Sequence, residues 1–480
     1  MSGFIGRAEE LQSLSHLLKK QSASIVVIKG RRRIGKSRLI EEFATRIKHD
    51  VFYSIAGLLP SKGTTAQTQR DEFSNQLSKQ GFPKIKADDW TDLFWLLADR
   101  VSTGRVIIVL DEISWMGSLD PDFLGKLKNV WDLRLKKNDQ LILFLCGSVS
   151  TWIEKNILNN TGFLGRITLD MTLKELPLSD CEKFWRRQAK QVSAYEKLKV
   201  LSVTGGVPLY LENIDPTVSA EENIRRLCFQ PEGILFGEFD KIFSDLFSKR
   251  SEKYKKIVRS LANRSTSQDE ICRSLGLKQS GDIGEYLDDL IKSGFISRDF
   301  TWRVDKGKIS TLSKYRLSDN YARFYVKQIF PNRLKIENKQ FATAVLNHLP
   351  GWDSVMGLQF ENCVLSNRRL LWQHLKISPE DIVCDNPFFQ KKTTRHESCQ
   401  IDYLIQMRHN TLYIFEIKFS KDEIKSNVIR EMQKKIHSLA IPKHFSYRPV
   451  LIHVNGVKNE VIDDGFFSDI IDFSEILKGE

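Results

Sequence analysis

The chain has 480 residues, of which 41% are hydrophobic and 28% charged, with a net charge of +13. That length exceeds what one core serves and predicts about three domains, while no stretch approaches the roughly 18 consecutive apolar residues of a membrane-crossing helix. A fibrous, disordered or membrane-spanning chain is excluded by this balance.

The opening residues, Met1-Ser2-Gly3-Phe4-Ile5-Gly6-Arg7, lack the apolar core of a signal peptide, so a cytoplasmic protein with no membrane partner is expected. Seven scattered cysteines without a Cys-x-x-Cys pair suit reduced thiols better than disulfides or zinc sites. Excess positive charge attracts polyanions, and nucleic acid, DNA first, is the expected partner. The solvated lysines of an ordinary basic protein would give the same charge.

Residues Gly30 to Ser37 read Gly-Arg-Arg-Arg-Ile-Gly-Lys-Ser. They follow the apolar run Ile25 to Ile28 and precede the helix-forming stretch Arg38 to Phe43. This is a Walker A phosphate loop in a strand-loop-helix setting. A triphosphate is held there by backbone N–H groups and a helix N-terminus. The spacing predicts that Gly30, Arg31, Arg32, Arg33, Ile34, Gly35, Lys36, Ser37 and Arg38 surround the nucleotide. Lys36 reaches the β- and γ-phosphates and Ser37 binds Mg²⁺.

A second apolar strand, Val106 to Leu110, runs into Asp111-Glu112, the Walker B arrangement. Asp111 is expected to hold the magnesium ion and Glu112 to polarise the attacking water. A third strand, Leu141 to Leu145, ends in Cys146-Gly147-Ser148. Ligands of parallel sheets lie beyond the carboxyl ends of the strands. Ser148 is therefore either a sensor of the γ-phosphate or a cap for a helix over Val149 to Lys155. Arg166, in Phe-Leu-Gly-Arg, is either an arginine finger acting across a subunit boundary or a surface arginine.

These residues, with Phe4-Ile-Gly-Arg-Ala-Glu-Glu-Leu11 ahead of the loop and Gly205-Gly-Val-Pro208 after it, resemble the archaeal-type ATPases that lie between AAA+ and STAND proteins. The resemblance implies that Gly6 and Arg7 lie near the base of ATP. It also implies that Gly205 to Pro208 belongs to a helical lid. Two departures stand out: Asp111-Glu112-Ile113-Ser114-Trp115 replaces an Asp-Glu-x-Gln-like run, and serine replaces asparagine at the sensor.

The next segment predicts three helices and a two-stranded wing. Tyr254, Ile257, Val258 and Leu261 have helical spacing; Ser265 to Leu275 and Gly284 to Ser293 follow; Phe295 to Ser297 and Tyr315 to Leu317 read as strands. That is a winged-helix pattern. It binds duplex through Arg273, Lys278 and Lys308, or only connects its neighbours. The aromatic run Tyr315 to Phe330 is expected in the core.

After Lys339 a mixed unit begins. Phe360 to Val364 is expected on an amphipathic helix, Ile401 to Ile405 on a strand, and Leu412 to Lys418 on the next. Period-two alternation puts Glu416 and Lys418 on one face, and the short turn Met407 to Asn410 lets Asp402 approach Glu416. Asp402 and Glu416 would hold Mg²⁺, with Lys418 orienting water and Glu361 completing the set. This resembles the PD-(D/E)xK nuclease fold. A burial-driven Glu416–Lys418 pair in an inactive docking fold would read the same way. The helix expected from Asp422 to Leu439 brings Lys434 and Lys435 as substrate contacts. His374, His396, His409 and His453 show no metal-ligand spacing.

The expected architecture is α/β: a P-loop ATPase core with a parallel sheet over residues 1–170, a helical lid over 171–248, a winged-helix domain over 249–335 and a mixed restriction-endonuclease-like domain over 336–480. The expected protein binds and hydrolyses ATP with Mg²⁺, acts on DNA, assembles as a homo-oligomer, and controls its nuclease-like domain through its nucleotide state. The competing expectation is an ATP-driven signalling or defence switch whose last domain binds without cutting.

Overall fold

The computed structural model describes residues 3–61, 63–148, 151–247, 250–277, 281–342, 345–392, 394 and 396–478. They form two compact units, residues 1–174 and 175–480.

In the first unit, strands β1 (Ser24–Gly30), β2 (Val51–Ala56), β3 (Val106–Asp111), β4 (Ile142–Ser148) and β5 (Ile167–Leu173) form one sheet. The order is β2-β3-β4-β1-β5 and every pairing is parallel. Parallel neighbours require long crossovers, here carried by helices including Lys36–Arg46, Trp90–Asp99 and Phe123–Leu133. Alternate strand residues feed opposite cores, as side-chain period demands. Val27, Ile108 and Leu143 join Phe73, Trp90 and Phe123. Val26, Ile107 and Phe144 join Leu14, Leu39 and Phe43 on the other face. Burial on both faces explains why β1 and β4 read as continuous apolar runs. The edge strand β5 runs to Leu173, so the unit closes after Lys174.

The second unit begins with short helices, among them Ala194–Thr204, Pro208–Leu211 and Ala220–Cys228. Helices Ser251–Ser260, Gln268–Ser274 and Gly281–Lys292 come next, followed by the antiparallel ribbon β6 (Ile296–Arg303) and β7 (Lys308–Leu317). A capping box between Ser267 and Glu270 sets the start of the second of these helices. Both ribbon strands are longer than the sequence pattern suggests, because the ribbon is buried against a second sheet. Trp302 packs its ring 5.0 Å from that of Phe388 and donates its indole N–H to Gln406 at 2.7 Å. Thr301 donates to the Phe389 carbonyl at 2.8 Å. Tyr321, Phe324 and Tyr325 are core residues, as their periodicity predicts.

That second sheet comprises β8 (Ile382–Gln390), β9 (Cys399–Met407), β10 (Thr411–Ile417), β11 (Ser446–His453) and β12 (Asp469–Asp472). Its order is β12-β11-β10-β9-β8, antiparallel from β8 to β10 and parallel from β10 to β12. The crossover from β10 to β11 contains the helix Asn427–Ser438. This helix starts five residues later than the pattern suggests, since Ile424 instead bridges to Val457.

The helix carrying Glu361, Trp352–Ser366, is not amphipathic. Val355, Met356, Gln359, Phe360, Asn362 and Val364 are all buried, so elements surround it. Its polar side chains are matched inside the core: Gln359 donates to the Asn320 carbonyl at 2.6 Å and Asn362 to that of Leu317 at 3.0 Å. All seven cysteines are free and six are buried. Among the described residues no helix is long and apolar enough to cross a membrane.

Candidate functional site

Gly30 ends β1 between Ser148 of β4 and Leu173 of β5. A β-carbon there would sit 2.9 Å from both the Leu173 carbonyl oxygen and Ile34 Cγ2, so the approach of the loop to β5 requires glycine. The loop then turns through Arg33 and Gly35, both at positive φ, and Gly35 caps the helix Lys36–Arg46. Unsatisfied N–H groups of its first turn are thereby directed into the loop. Lys36 is buried and folds back over the loop, donating to the carbonyls of Gly30 at 3.2 Å and Arg31 at 3.4 Å. Arg31 is buried in the loop, Arg32 and Arg33 are half-buried, and Arg38 is exposed.

Ser37 and Asp111 meet, although β1 and β3 are not neighbours. Ser37 Oγ donates to Asp111 Oδ2 at 2.7 Å, and Asp111 Oδ1 accepts the Glu112 N–H at 2.9 Å. A hydroxyl and a carboxylate this close offer the hard oxygen ligands that Mg²⁺ prefers. Glu112 follows in a left-handed conformation and caps the helix Ile113–Gly117. Ser148, beside Gly30, is buried, and its hydroxyl has no hydrogen-bond partner among the described residues. Val149 and Ser150, with which a capped helix would begin, lie outside the described residues.

Arg7 supports the loop from behind. Its guanidinium donates to the carbonyls of Ile34 at 3.1 Å and Lys174 at 2.6 Å and pairs with Glu10, while Gly6 precedes it at positive φ. Arg166 is held in its own unit by a two-pronged pair with Asp132, at 2.8 and 3.0 Å. Hydrogen bonds from Arg166, Lys128 and Lys136 hold the Asp132 carboxyl well below its ordinary range. Pro208 belongs to the second unit and opens the helix Pro208–Leu211. Ahead of it Gly206 is pinned between Glu175 and Leu176, and a β-carbon on it would collide with the Leu176 carbonyl.

The C-terminal candidates gather at one end of the second sheet. Phe415 pairs with Tyr403 across the hairpin, so Asp402 lies beside Glu416 and accepts the Ile417 N–H at 2.9 Å. Glu416 is buried. One of its oxygens pairs with Lys418 at 3.0 Å, and the other with Lys435. Lys435 also lies 3.5 Å from Asp402, and Lys418 lies 2.8 Å from Glu431. Burial, then the charge of Glu416, pushes the Asp402 carboxyl up to about 6. Burial, then Asp402, pushes Glu361 up to about 7. Burial opposes the charge on Lys418, but Glu431 and Glu416 outweigh it and raise its affinity for a proton.

Glu431 has no role in the sequence reading, and Lys435, expected as a substrate contact, instead pairs with the carboxylates. Their spacing is the available signal: one helical turn apart, on the same helix face as the buried Val428 and Met432. Lys434 is exposed, and Lys278 lies outside the described residues. Among the described residues no three His, Cys, Asp or Glu side chains are gathered to hold a metal ion. The carboxylates are the right donors for Mg²⁺, but the Lys435 ammonium lies between two of them. His396 and His409 are exposed, whereas His453 is buried, accepts the Gly456 N–H at 3.0 Å and has its proton affinity lowered by burial.

A five-stranded parallel sheet with a phosphate loop after its first strand, and that loop's serine bonded to the acid of its third, defines a P-loop ATPase domain. Residues 4–214 match the family described as an ATPase domain predominantly from Archaea. The chain is 25% identical over 487 residues to an uncharacterised protein of Methanocaldococcus jannaschii, a match covering 98% of this chain and 100% of the relative. Among solved structures, a Walker-type ATPase of Pyrococcus abyssi matches 67% of this chain and 96% of its own, at 17% identity and a TM-score of 0.49. The ORC2 protein of Aeropyrum pernix, solved as ADPNP and ADP complexes, matches 72% of this chain and 98% of its own, at 14% identity and a TM-score of 0.41.

Proposed function

We propose that this is an ATP-hydrolysing protein of the AAA+/STAND type that acts on DNA, and whose nucleotide state governs a nuclease-like C-terminal region. Lys36 and the loop amides hold the triphosphate, Ser37 and Asp111 hold its Mg²⁺, Glu112 orients the attacking water, and Ser148 senses the γ-phosphate. Arg166 serves a neighbouring subunit's nucleotide after leaving Asp132.

The observation that carries the nuclease-like reading is the meeting of Asp402, Glu416 and Lys418 at one sheet end, with Glu361 near enough for the charge of Asp402 to raise its affinity for a proton. Mg²⁺ bound to these acids would neutralise a scissile phosphate and lower the pKa of its water. Glu361, Asp402 and Glu416 would hold the ion once Lys435 moves aside, and Lys418 would orient the water. The net charge of +13 favours a polyanionic substrate.

The second reading, a switch that binds without cutting, is favoured by one observation: Lys435 already neutralises Asp402 and Glu416. The two readings separate in a Mg²⁺-dependent cleavage assay on plasmid, linear DNA and RNA, with Asp402→Ala and Lys418→Ala alongside wild type. Cleavage abolished by both substitutions supports the nuclease. Cleavage surviving both removes these residues from the reaction, and no cleavage by wild type supports the switch.

A further inference from the structure

Two cavities of the second unit share Glu270, Lys314 and Gln400 in their walls and therefore adjoin. The smaller, of about 170 Å³, is lined by Arg264, Lys314, Arg316, Arg323 and Glu361. The larger, of about 620 Å³, adds Arg273 from the helix Gln268–Ser274, and Lys391 and Lys392 from the end of β8. The cleft thus runs from the three-helix segment and the ribbon onto the C-terminal sheet. Glu361, which lines the smaller cavity, lies near enough to Asp402 of the carboxylate cluster to feel its charge.

Its positive charge is only partly compensated. Arg264 pairs with Glu270 at 3.4 Å, Arg316 with Asp299 at 2.8 Å and Lys392 with Glu397 at 2.9 Å, and Asp269 also lines the larger cavity. Arg323 is buried and satisfied through its terminal nitrogens by Leu317, Leu358 and Gln359. Its Nε has no hydrogen-bond partner among the described residues. Burial and the neighbouring Arg316 lower its affinity for a proton. Lys314 has no ion pair among the described residues; its ammonium lies 4.8 Å from the centre of the Phe389 ring. Adjacent buried guanidinium groups repel each other and lack solvent. An anion entering the cavity relieves both costs.

We propose that this cleft binds the sugar–phosphate backbone of a single nucleic-acid strand. One phosphate sits in the arginine-lined cavity, and its neighbours pass Lys314, Arg273 and Lys391. The smaller cavity, of about 170 Å³, has room for a phosphate group but not for a base pair, so the ligand is a single strand or a frayed end. This deepens the nucleic-acid reading of the C-terminal region and rests on it. The middle segment would then contribute through Arg273 and β7, the ribbon itself being packed on the sheet.

The test is fluorescence anisotropy of the full chain in EDTA, with a labelled single-stranded oligonucleotide and the matching duplex over a range of salt. Lys314→Glu and Arg273→Glu should each weaken single-strand binding about tenfold and reduce the salt slope by about one. Lys391→Glu, at an exposed position where folding is not at risk, should act in the same direction. Arg408→Glu, in the exposed turn between β9 and β10 at the sheet end away from Glu416, should stay within about twofold of wild type. Unchanged binding in Lys314→Glu and Lys391→Glu, or tighter binding of duplex than of single strand, overturns the proposal. Binding is read without Mg²⁺, so a cleft that responds in a protein that never cuts removes only the nuclease. Cutting without a response removes only the cleft.

Discussion

Two lysines share the charge of Asp402 and Glu416, and Lys435, expected only as a substrate contact, is the more telling. Removing Lys435 leaves two neighbouring carboxylates with less compensation. Lys435→Met should therefore cost about 1–3 kcal/mol in urea denaturation, below the full cost of breaking a buried pair because the side chain keeps some solvent. Added Mn²⁺ should restore more stability to this variant than to wild type; an equal gain in both would show that Lys435 does not compete with a cation. Glu361 gives a pH signature. Its carboxyl ionises near pH 7 when folded but near 4.5 when unfolded, so the folded chain holds more protons between those values and stability falls as pH rises through them. Glu361→Gln should match wild type near pH 4 and exceed it at pH 8 by about 1–3 kcal/mol. Equal denaturation midpoints at pH 8 would contradict this.

At the scale of elements, the ribbon and the second sheet are joined through Trp302. Its ring lies against Phe388, and its N–H satisfies the buried Gln406. Trp302→Ala removes both, and should cost about 3–5 kcal/mol. Hydrogen exchange should then show β6 and β9 losing protection together. Loss confined to β6 would mean that the two elements fold apart. The helix Trp352–Ser366 makes a related point. Its polar residues look like a solvent face in sequence, but Gln359 and Asn362 are buried in a hydrogen-bonded network. Polarity alone does not distinguish a wet face from a satisfied one.

For the whole molecule, the phosphate loop is expected to govern everything that responds to ATP. Lys36→Ala should abolish ATP binding, and Glu112→Gln should keep binding while slowing hydrolysis by at least about a hundredfold, the range of a lost catalytic base. Nucleotide binding by equilibrium dialysis and phosphate release on the same preparations check both. Wild-type hydrolysis in both variants would displace the assignment. Light scattering with and without ATP tests the oligomer that an arginine finger at Arg166 would need, and Arg166→Ala should lower turnover only if that residue leaves Asp132.

The phosphate loop, the acids ending β3 and the pairing of Asp402 with Glu416 were legible because each depends on local rules. Spacing around a turn, alternation along a strand and the length of a hairpin fix them without distant partners. The strands β8, β11 and β12 were not legible. Their residues become half or fully buried only when other elements cover them, as with Pro449 beside Ile414 of β10.

By itself, then, the sequence determined that a triphosphate site lies at the end of a buried parallel strand, and that a carboxylate pair with a lysine lies on a later hairpin. Only the tertiary structure decided that Lys435 stands between those carboxylates, that Asp132 holds Arg166, and that the ribbon covers β8. These are contacts between residues far apart in the chain. Charge and polarity limit which partners such a residue can have, but packing selects among them.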